Sequence, residues 1–486
     1  MKSLSLLLSL LCCSVRAAAP DPWSELTRRD VDAAYALIKE NHPGSLDDNN
    51  PKFRVWLEEG HRAALVRAGR ALSYGGWYFT LKGFLTGFKD GHLGFYSTLT
   101  QDAVLWPGFI MALREKRYVV HSAAPGSAGF SALPAPGAVL VSCDGKTPEM
   151  LLKENVFPFW GDEALGSSWI GAAPMLLLDR GNPFIKRPEK CAFDTGGTRR
   201  ELVLDWKTTG DAEIGAALRA AGFGSKPALG VRPFGKDAFW VSLPSFAPEG
   251  EELAAMKEVI AKAKDLRKAS VIVFDLRGNG GGNSEWGNEI MDNLYGKAYA
   301  RRLSEPSGSE TVDWRVSEGN LQYVRAACAG LLAEFGADSE VYRGFREAEK
   351  GMAQSLKQGR AYYREVREPA RPQDVTDDAS GGGPVSGKVF FLTDGRCASA
   401  CLDFADGMLS EPGVIHIGQA TLADTDYMDV RGVELPSGIG RLSVAMKVHR
   451  NRRRLSGQAY VPRYVWEKDI WDTEGLETWV LSLVGL

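Results

Sequence analysis

The sequence predicts an α/β fold built on a largely parallel sheet. Two short apolar runs, at residues 271–274 and 388–392, have the length and composition of buried strands. A helical apolar pattern over residues 251–266 connects an earlier strand, residues 239–243, to the first of these runs. A strand, a helix and a strand in this order are the repeating unit of parallel sheets. Such sheets bind ligands at the carboxyl ends of their strands.

The first residues have the composition of an export signal. A lysine precedes an apolar core at residues 4–11, and small residues at 17–19 suit cleavage. The core is too short to span a bilayer, and no later run is long enough. The sequence therefore predicts a signal at residues 1–19 and a periplasmic or secreted protein.

Residues 20–100 are expected to form an N-terminal helical domain. Apolar residues recur at helical spacing over residues 31–38 and 77–88. A breaker, Asn41-His42-Pro43-Gly44, lies between them. The block ends in a turn that contains Asp90-Gly91-His92.

Residues 101–210 change to short strands, at 107–111, 118–121 and 137–145. This β-rich module resembles a PDZ domain. The resemblance implies that Pro107-Gly108-Phe109-Ile110 holds the C-terminal carboxylate of a peptide on backbone amides. The stretch from 157 to 190 is longer than a compact PDZ domain needs.

The core begins near residue 225 and runs to 486, and it contains two junctions between a strand and a polar loop. At the first junction the sequence DLRGNGGG, residues 275–282, follows a buried strand. Glycine lets backbone N–H groups approach a ligand, so the loop suits an anion or an oxyanion. A phosphate loop and a simple tight turn are the alternatives at this point.

At the second junction the sequence TDGRCASACLDFA, residues 393–405, follows the strand at 388–392. Its spacing puts Ser399 at a helix start, where the hydroxyl is exposed and the following N–H groups are unpaired. Nucleophilic serines use this geometry. A helix N-cap is the structural alternative for the same residue.

Between the junctions lie 117 positions (399 − 282), more than one helix and one strand require. We interpret residues 300–383 as a helical insertion that serves as a lid or a scaffold. Helical patterns cover 320–335 and 342–358, and the tail at 369–383 is polar.

Together the two junctions resemble the C-terminal-processing (tail-specific) and tricorn-core serine peptidases. The resemblance extends from about Trp23 to about Trp479. It implies a crotonase/Clp-like core, with Ser399 as the nucleophile. It also implies an oxyanion hole formed by Gly280 or Gly281 together with Ala400. One departure is Leu402, where many relatives carry a glutamate.

The family activates its serine with a lysine or with a histidine. Residues 410–445 contain no lysine, and the first one, Lys447, lies 48 positions (447 − 399) after Ser399. His92, in its Asp-Gly-His turn, occupies the place of the tricorn-type histidine. It is therefore the expected base, ahead of the five other histidines: His42, His61, His121, His416 and His449.

The group that orients this histidine is left open. Tricorn-like relatives place a glutamate shortly before a late proline, but the residues before Pro462 that match are Ser456, Gly457 and Gln458. The candidates are the polar residues of the neighbouring loops: Gln458, Asp424, Asp426 and Glu434.

Charge and cysteine content restrict the partners. A net charge of −3 gives no reason to expect nucleic-acid binding. The basic run of Arg450 with Arg452-Arg453-Arg454 is expected to be a solvated hairpin edge. Neither a metal nor an organic cofactor is implied. Five cysteines follow the signal, so at least one is unpaired. Cys397 and Cys401 are expected either to form a disulfide around Ser399 or to be buried thiols.

The sequence thus predicts an exported serine endopeptidase that cleaves polypeptides, without a membrane span. Its oligomeric state is left open, with a homo-oligomer among the options. A catalytically impaired peptide-binding protein of the same fold is the first alternative, because of Leu402 and the missing carboxylate. An acyl-CoA enzyme of the crotonase type is the second.

Overall fold

A computed structural model describes residues 21–99, 103–124, 129–222, 226–304, 310–365 and 382–485. The expected signal at 1–19 and most of the polar tail at 369–383 lie outside these residues. Within the described ranges, no helix has both the length and the apolar character needed to cross a membrane.

The described elements alternate between helices and short strands. The helices are α1 Pro22–Asn41, α2 Pro51–Ala68, α3 Tyr74–Thr86, α4 Pro148–Asn155, α5 Gly166–Ala172, α6 Asp211–Gly222, α7 Glu251–Leu266, α8 Glu285–Tyr295, α9 Lys297–Ser304, α10 Glu318–Phe335, α11 Glu340–Lys357, α12 Ala400–Met408 and α13 Thr473–Leu483. The strands are β1 Gly94–Ser97, β2 Ala103–Trp106, β3 Phe109–Arg114, β4 Arg117–Ala123, β5 Val139–Cys143, β6 Lys190–Thr195, β7 Thr198–Val203, β8 Lys207–Gly210, β9 Gly230–Gly235, β10 Ala238–Ser242, β11 Val271–Asp275, β12 Thr311–Arg315, β13 Tyr362–Arg364, β14 Lys388–Thr393, β15 Val414–Gly418, β16 Tyr427–Glu434, β17 Gly440–Arg450 and β18 Tyr464–Val465.

The central sheet has the strand order β18-β15-β14-β11-β10-β9, and only β9 runs antiparallel to its neighbour. Helices α7, α8 and α12 cover one face and α13 covers the other. Strands β11 and β14 are buried on both faces, which explains why their sequences are continuously apolar. The predicted α/β class and the parallel-rich sheet are confirmed.

The N-terminal helices pack on a sheet from the far end of the chain. Helices α1, α2 and α3 share one core with β16 and β17, in which Phe53 and Trp77 meet Val444. Strand β17 pairs with β1 along residues 440–443, so the segment that follows α3 is tied to the same sheet. This pairing places the turn after α3 beside the C-terminal half of the chain.

The module after β2 is an antiparallel meander, β3-β4-β5-β6-β7, with Cys143 and Cys191 joined by a disulfide between β5 and β6. Gly108 has a φ of 90°, and a side chain there would come within 2.7 Å of Leu133. The loop that was expected to hold a carboxylate is therefore covered by Leu133 and Phe130. Whether the module binds peptides stays a prediction.

The insertion contains α10 and α11 close to their predicted bounds, and also strands β12 and β13. Strand β12 pairs with β17, and both helices pack on Trp314 and Met446. The Asn320 side chain donates to the carbonyl of Asn41 at the end of α1 (2.9 Å). These contacts make the insertion part of the scaffold around β17. Cys328 on α10 is a buried free thiol.

Candidate active site

The glycine loop begins on a buried ion pair. Arg277 donates to both carboxylate oxygens of Asp275, at 2.8 and 2.6 Å, and both residues are almost fully buried. The Trp240 indole N–H also donates to Asp275 (2.9 Å). Removing one partner of such a pair leaves an uncompensated charge, so the start of the loop is firmly held.

The loop beyond Arg277 is fixed by its own backbone and by Asn279. The Asn279 side chain accepts from the Gly281 N–H (2.8 Å) and donates to the Leu243 carbonyl (2.8 Å). Gly281 and Gly282 have φ values of 100° and 138°, which other residues rarely adopt. Within the described part of the chain, the Gly280 N–H has no protein acceptor, and the space around its Cα is open.

Ser399 immediately precedes α12 in a strained conformation. Its φ of 54° and ψ of −126° lie outside the regions that serine normally adopts, and its side chain makes no capping bond to the helix. The N-cap alternative therefore does not describe this residue. Its backbone N–H donates to Asp424 Oδ2 (2.5 Å). The strained residue stands at the sharp turn between β14 and α12.

The two junctions touch each other, as expected for neighbouring parallel strands. A Cβ atom on Gly281 would lie 2.7 Å from both Ser399 Cβ and the Ala398 carbonyl, and 3.0 Å from the Ala400 nitrogen. Among the described residues the Ala400 N–H also has no protein acceptor. A disulfide between Cys397 and Cys401 closes the turn around Ser399.

The turn that carries His92 is held by a buried carboxylate. Asp90 accepts from the His92 backbone N–H (3.0 Å), from Thr425 Oγ1 (2.8 Å) and from His42 Nε2 (2.9 Å). Burial favours the neutral carboxyl, but the bond and charge of His42 outweigh it and hold the pKa of Asp90 below its usual value. The His92 Nδ1 atom is buried without a hydrogen-bond partner among the described residues.

Asp424 connects this turn to the nucleophile turn. One carboxylate oxygen accepts from Ser399, and the other faces Gly91, 3.9 Å from where a Cβ would stand. Burial raises the pKa of Asp424 above its usual value, and the nearby charges of His92 and Arg454 offset this effect only in part. The Asp424 carboxylate thus contacts the nucleophile turn and lies close to the turn that carries His92.

Helix α12 is fixed from behind by the basic run. Arg454 Nε donates to Asp406 (3.0 Å). Arg452 donates to Asp406 (3.0 Å) and also to Asp403. Both guanidinium groups are largely buried. Tyr460 also donates to Asp406 (2.6 Å). The prediction of a solvated hairpin edge is therefore wrong for Arg452 and Arg454, because the acidic face of α12 neutralises them.

Comparison with known proteins agrees with this geometry. Residues 239–462 match peptidase family S41. The chain carries an S41 peptidase domain. It is thus a serine-type peptidase, and the resemblance to the tail-specific peptidases is confirmed.

Solved structures show the same fold. The structure of mature CPAF complexed with lactacystin matches with 14% identity and a TM-score of 0.62, over 95% of this chain and 98% of that chain. A crystal structure of mature CPAF matches with 13% identity and a TM-score of 0.58, over 91% and 92% of the two chains. No curated protein matches the chain.

The fold brings most of the residues expected from the sequence close to one another. Ser399 and the turn that carries His92 both lie close to Asp424. Gly280 belongs to the glycine loop, which contacts the turn that contains Ser399 and Ala400. Gly281 also lies there, but its N–H is occupied by Asn279, so it has no free donor for an oxyanion. Leu402 is fully buried in the core of the S41 domain.

Two candidates for the orienting group lie elsewhere. Gln458 is exposed, and its side-chain oxygen accepts from the Leu455 N–H (3.0 Å) within its own turn. Burial raises the pKa of Asp426, and the charges that lower it are those of Arg452 and His449 rather than of His92. Of the candidates for the orienting group, Asp424 is the one that contacts the Ser399 backbone.

The competing bases are engaged in other contacts. Lys447 bonds Asp429 (2.5 Å) and lies 4.1 Å from the centre of the Trp314 ring. His42 accepts from the Gly44 N–H (3.0 Å) and bonds Asp90, so both ring nitrogens are used. The histidines with other polar partners are His61, His416 and His449, which bond Asp32, Thr393 and Glu310.

Proposed function

We propose that this S41 peptidase hydrolyses internal peptide bonds of polypeptides with Ser399 as nucleophile, His92 as general base and Asp424 as the positioning carboxylate. The observation that carries the proposal is the strained Ser399, whose N–H is bound by a carboxylate that also lies close to His92. Serine needs such a base because its hydroxyl is scarcely ionised at neutral pH.

In the proposed first step Ser399 Oγ attacks the scissile carbonyl carbon, and its proton passes to the imidazole of His92. The N–H groups of Gly280 and Ala400 stabilise the oxyanion, since neither has a protein acceptor in the described residues. Collapse of the tetrahedral intermediate breaks the C–N bond, and His92 returns the proton to the leaving amine. Water then hydrolyses the acyl-enzyme with the same base.

Asp424 stays ionised throughout and stabilises the imidazolium that forms twice per turnover. Its carboxylate also accepts from the Ser399 backbone N–H and thereby holds the nucleophile turn. A carboxylate in this place supports an active enzyme over the catalytically impaired alternative, which depended on Leu402 and on the absence of such a carboxylate.

The proposal is tested by hydrolysis of casein and of short peptides by three variants. Ser399→Ala and His92→Ala should each lower kcat by on the order of 10³-fold or more, because members of a catalytic unit fail together. His61→Ala, a histidine bonded to Asp32 on the surface, is the matched control and should keep wild-type activity. Wild-type activity in either of the first two variants would refute the assignment.

We further propose that the enzyme works outside the cytoplasm. Two disulfides, Cys143–Cys191 and Cys397–Cys401, support an oxidising compartment, and the composition of residues 1–19 supports export. Fractionation of cells that express the full chain, with N-terminal sequencing, should find a shortened protein outside the cytoplasm. An intact N-terminus in the cytosolic fraction would contradict this proposal.

A further inference from the structure

The disulfide between Cys397 and Cys401 closes a short ring around the proposed nucleophile. The two cysteines are 4 positions apart, and both are fully buried in the core of the S41 domain. The ring also contains Ala398, whose carbonyl faces Gly281, and Ala400, whose N–H is proposed as an oxyanion donor. This one bond therefore encloses every part of the nucleophile turn that the proposed chemistry uses.

The ring is also bonded to the segment that carries Asp424. The carbonyl of Cys397 accepts from the N–H of Leu422 (3.1 Å), which stands two positions (424 − 422) before Asp424. Asp424 Oδ2 accepts in turn from the Ser399 N–H (2.5 Å) inside the ring. Cys397 therefore takes part in holding both the nucleophile and the carboxylate proposed to position the base.

The strained conformation of Ser399 has a relaxed alternative. Its φ of 54° and ψ of −126° are sparsely populated, and such strain persists only where the surrounding structure enforces it. A serine directly before a helix normally has an extended backbone and serves as the N-cap, with its hydroxyl accepting from an N–H of the first turn. In that relaxed conformation the hydroxyl would be bonded to the helix instead of being available to a substrate.

The first turn of α12 takes its acceptors from the backbone of the ring. The Cys401 N–H donates to the Ala398 carbonyl (3.1 Å), and the Leu402 N–H donates to the Ser399 carbonyl (2.7 Å). Both acceptors belong to residues that the disulfide encloses. The shape of the ring therefore decides whether these N–H groups bind backbone carbonyls, as here, or the Ser399 hydroxyl.

We propose that the Cys397–Cys401 disulfide is a positioning element that holds Ser399 in its reactive conformation, so that hydrolysis depends on oxidation of this pair. The inference rests on the proposed function and adds its regulation: in the reduced chain Ser399 relaxes to an N-cap and hydrolysis is slow. Closing the bond transfers two electrons and two protons from the two thiols to a disulfide oxidant, which leaves as a dithiol. The oxidising compartment proposed above supplies such an oxidant. Because both cysteines are fully buried, the bond forms as the chain folds and is then shielded from thiols.

The first experiment compares two double variants that each lack one disulfide. Cys397→Ala with Cys401→Ala should lower kcat by about 10²-fold, for a nucleophile displaced by about 1 Å, and leave KM unchanged. Cys143→Ala with Cys191→Ala is the matched control and should keep wild-type kcat, because that bond lies in the β-rich module. The control bond closes 48 positions rather than 4, so its loss should lower the melting temperature more. Losses of kcat that follow the losses of melting temperature in both double variants would overturn the proposal, because the bonds would then only stabilise the fold.

The second experiment keeps both sulfur atoms and removes only the bond between them. The control double variant, which lacks the disulfide of the module, is refolded with reduced or with oxidised glutathione. Alkylation in denaturant and mass spectrometry measure the fraction of molecules in which Cys397 and Cys401 are joined, and circular dichroism compares the two folds. The value of kcat should rise in proportion to the joined fraction, at constant KM. Equal kcat in the two preparations would refute the proposal, and so would a reduced preparation that fails to fold, since the bond would then act on the whole domain.

Hydrolysis by the Ser399→Ala variant distinguishes failure of this inference from failure of the proposed function. If Ser399→Ala is inactive while the reduced preparation keeps the kcat of the oxidised one, the inference is wrong and the proposed chemistry stands. If Ser399→Ala hydrolyses peptides as the wild type does, the proposed chemistry is wrong, and the inference, which needs Ser399, fails with it. Loss of hydrolysis in Ser399→Ala and in the reduced preparation, with KM unchanged in the latter, is the result that we expect.

Discussion

Replacing Gly281 by alanine should separate the two halves of the proposed oxyanion hole. The new Cβ would lie 2.7 Å from Ser399 Cβ and from the Ala398 carbonyl, and 3.0 Å from the Ala400 nitrogen. These neighbours are backbone or a nucleophile held by Asp424, so they cannot rotate away. The backbone φ of 100° adds strain of about 1–3 kcal/mol for a residue with a side chain. Overpacking adds roughly another 1–3 kcal/mol.

The expected result is a less stable and nearly inactive protein. The summed cost is about 2–6 kcal/mol of unfolding free energy. A shift of about 1 Å in the donor geometry lowers kcat by roughly 10²-fold. Thermal unfolding and steady-state hydrolysis of a peptide measure the two effects separately.

A matched control separates strain from contact. Gly438 also has a positive φ, 73°, but an added Cβ there meets nothing within 4 Å. Gly438→Ala should show the backbone strain in its melting temperature and keep wild-type kcat. If Gly281→Ala kept activity within tenfold of the wild type, the contact between the glycine loop and the nucleophile turn would not matter as argued.

Three further predictions concern the surroundings of the site. Asp424→Asn should lower kcat by about 10²-fold or more, as loss of an orienting carboxylate does in other triads. Gln458→Ala should remain active in the same peptide assay. The reverse result would assign the orienting role to Gln458 instead. Asp406→Ala should lower the unfolding free energy by about 3–5 kcal/mol, measured in urea, because two buried guanidinium groups lose their partner; a loss below about 1 kcal/mol would contradict that view. Burial lowers the pKa of His416 from 6.5 to about 4, so the unfolded chain takes up its proton first and stability falls as pH drops from 6.5 to 4. His416→Gln should remove about 3 kcal/mol of this change in unfolding free energy with pH. If the melting temperature of the variant depended on pH as that of the wild type does, another group would be responsible.

Local pattern was sufficient to predict the two junctions. Apolar runs predicted β11 and β14 within one residue, and helix α7 has the predicted bounds. The pattern succeeds here because both strands are buried on both faces, so their central positions are all apolar. The glycine loop was equally readable, since positive φ values next to another backbone leave glycine as the residue of choice.

The sequence could not single out Asp424, which we propose as the orienting group, because loop geometry depends on contacts between distant residues. Matching on Pro462 directed attention to residues 456–458, but Asp424 is brought to the site by other bonds. The Leu422 N–H donates to the Cys397 carbonyl (3.1 Å), and the Gly457 N–H donates to the Asp424 carbonyl (2.8 Å). Nothing in the local sequence distinguishes Asp424 from Asp426.

The basic run shows the same limit for charge. Three arginines in a row resemble a solvated surface, and only the fold reveals that Asp403 and Asp406 of α12 meet Arg452 and Arg454 across more than 45 positions.

The central claim, that Ser399 is the nucleophile activated by His92, is tested most directly by covalent labelling. A fluorophosphonate probe reacts with an activated serine, and peptide mapping by mass spectrometry locates the adduct. The account predicts one adduct, on the peptide that contains Ser399, absent from Ser399→Ala and formed far more slowly in His92→Ala. An adduct on another serine, or hydrolysis that continues with Ser399 unlabelled and unreactive, would contradict it.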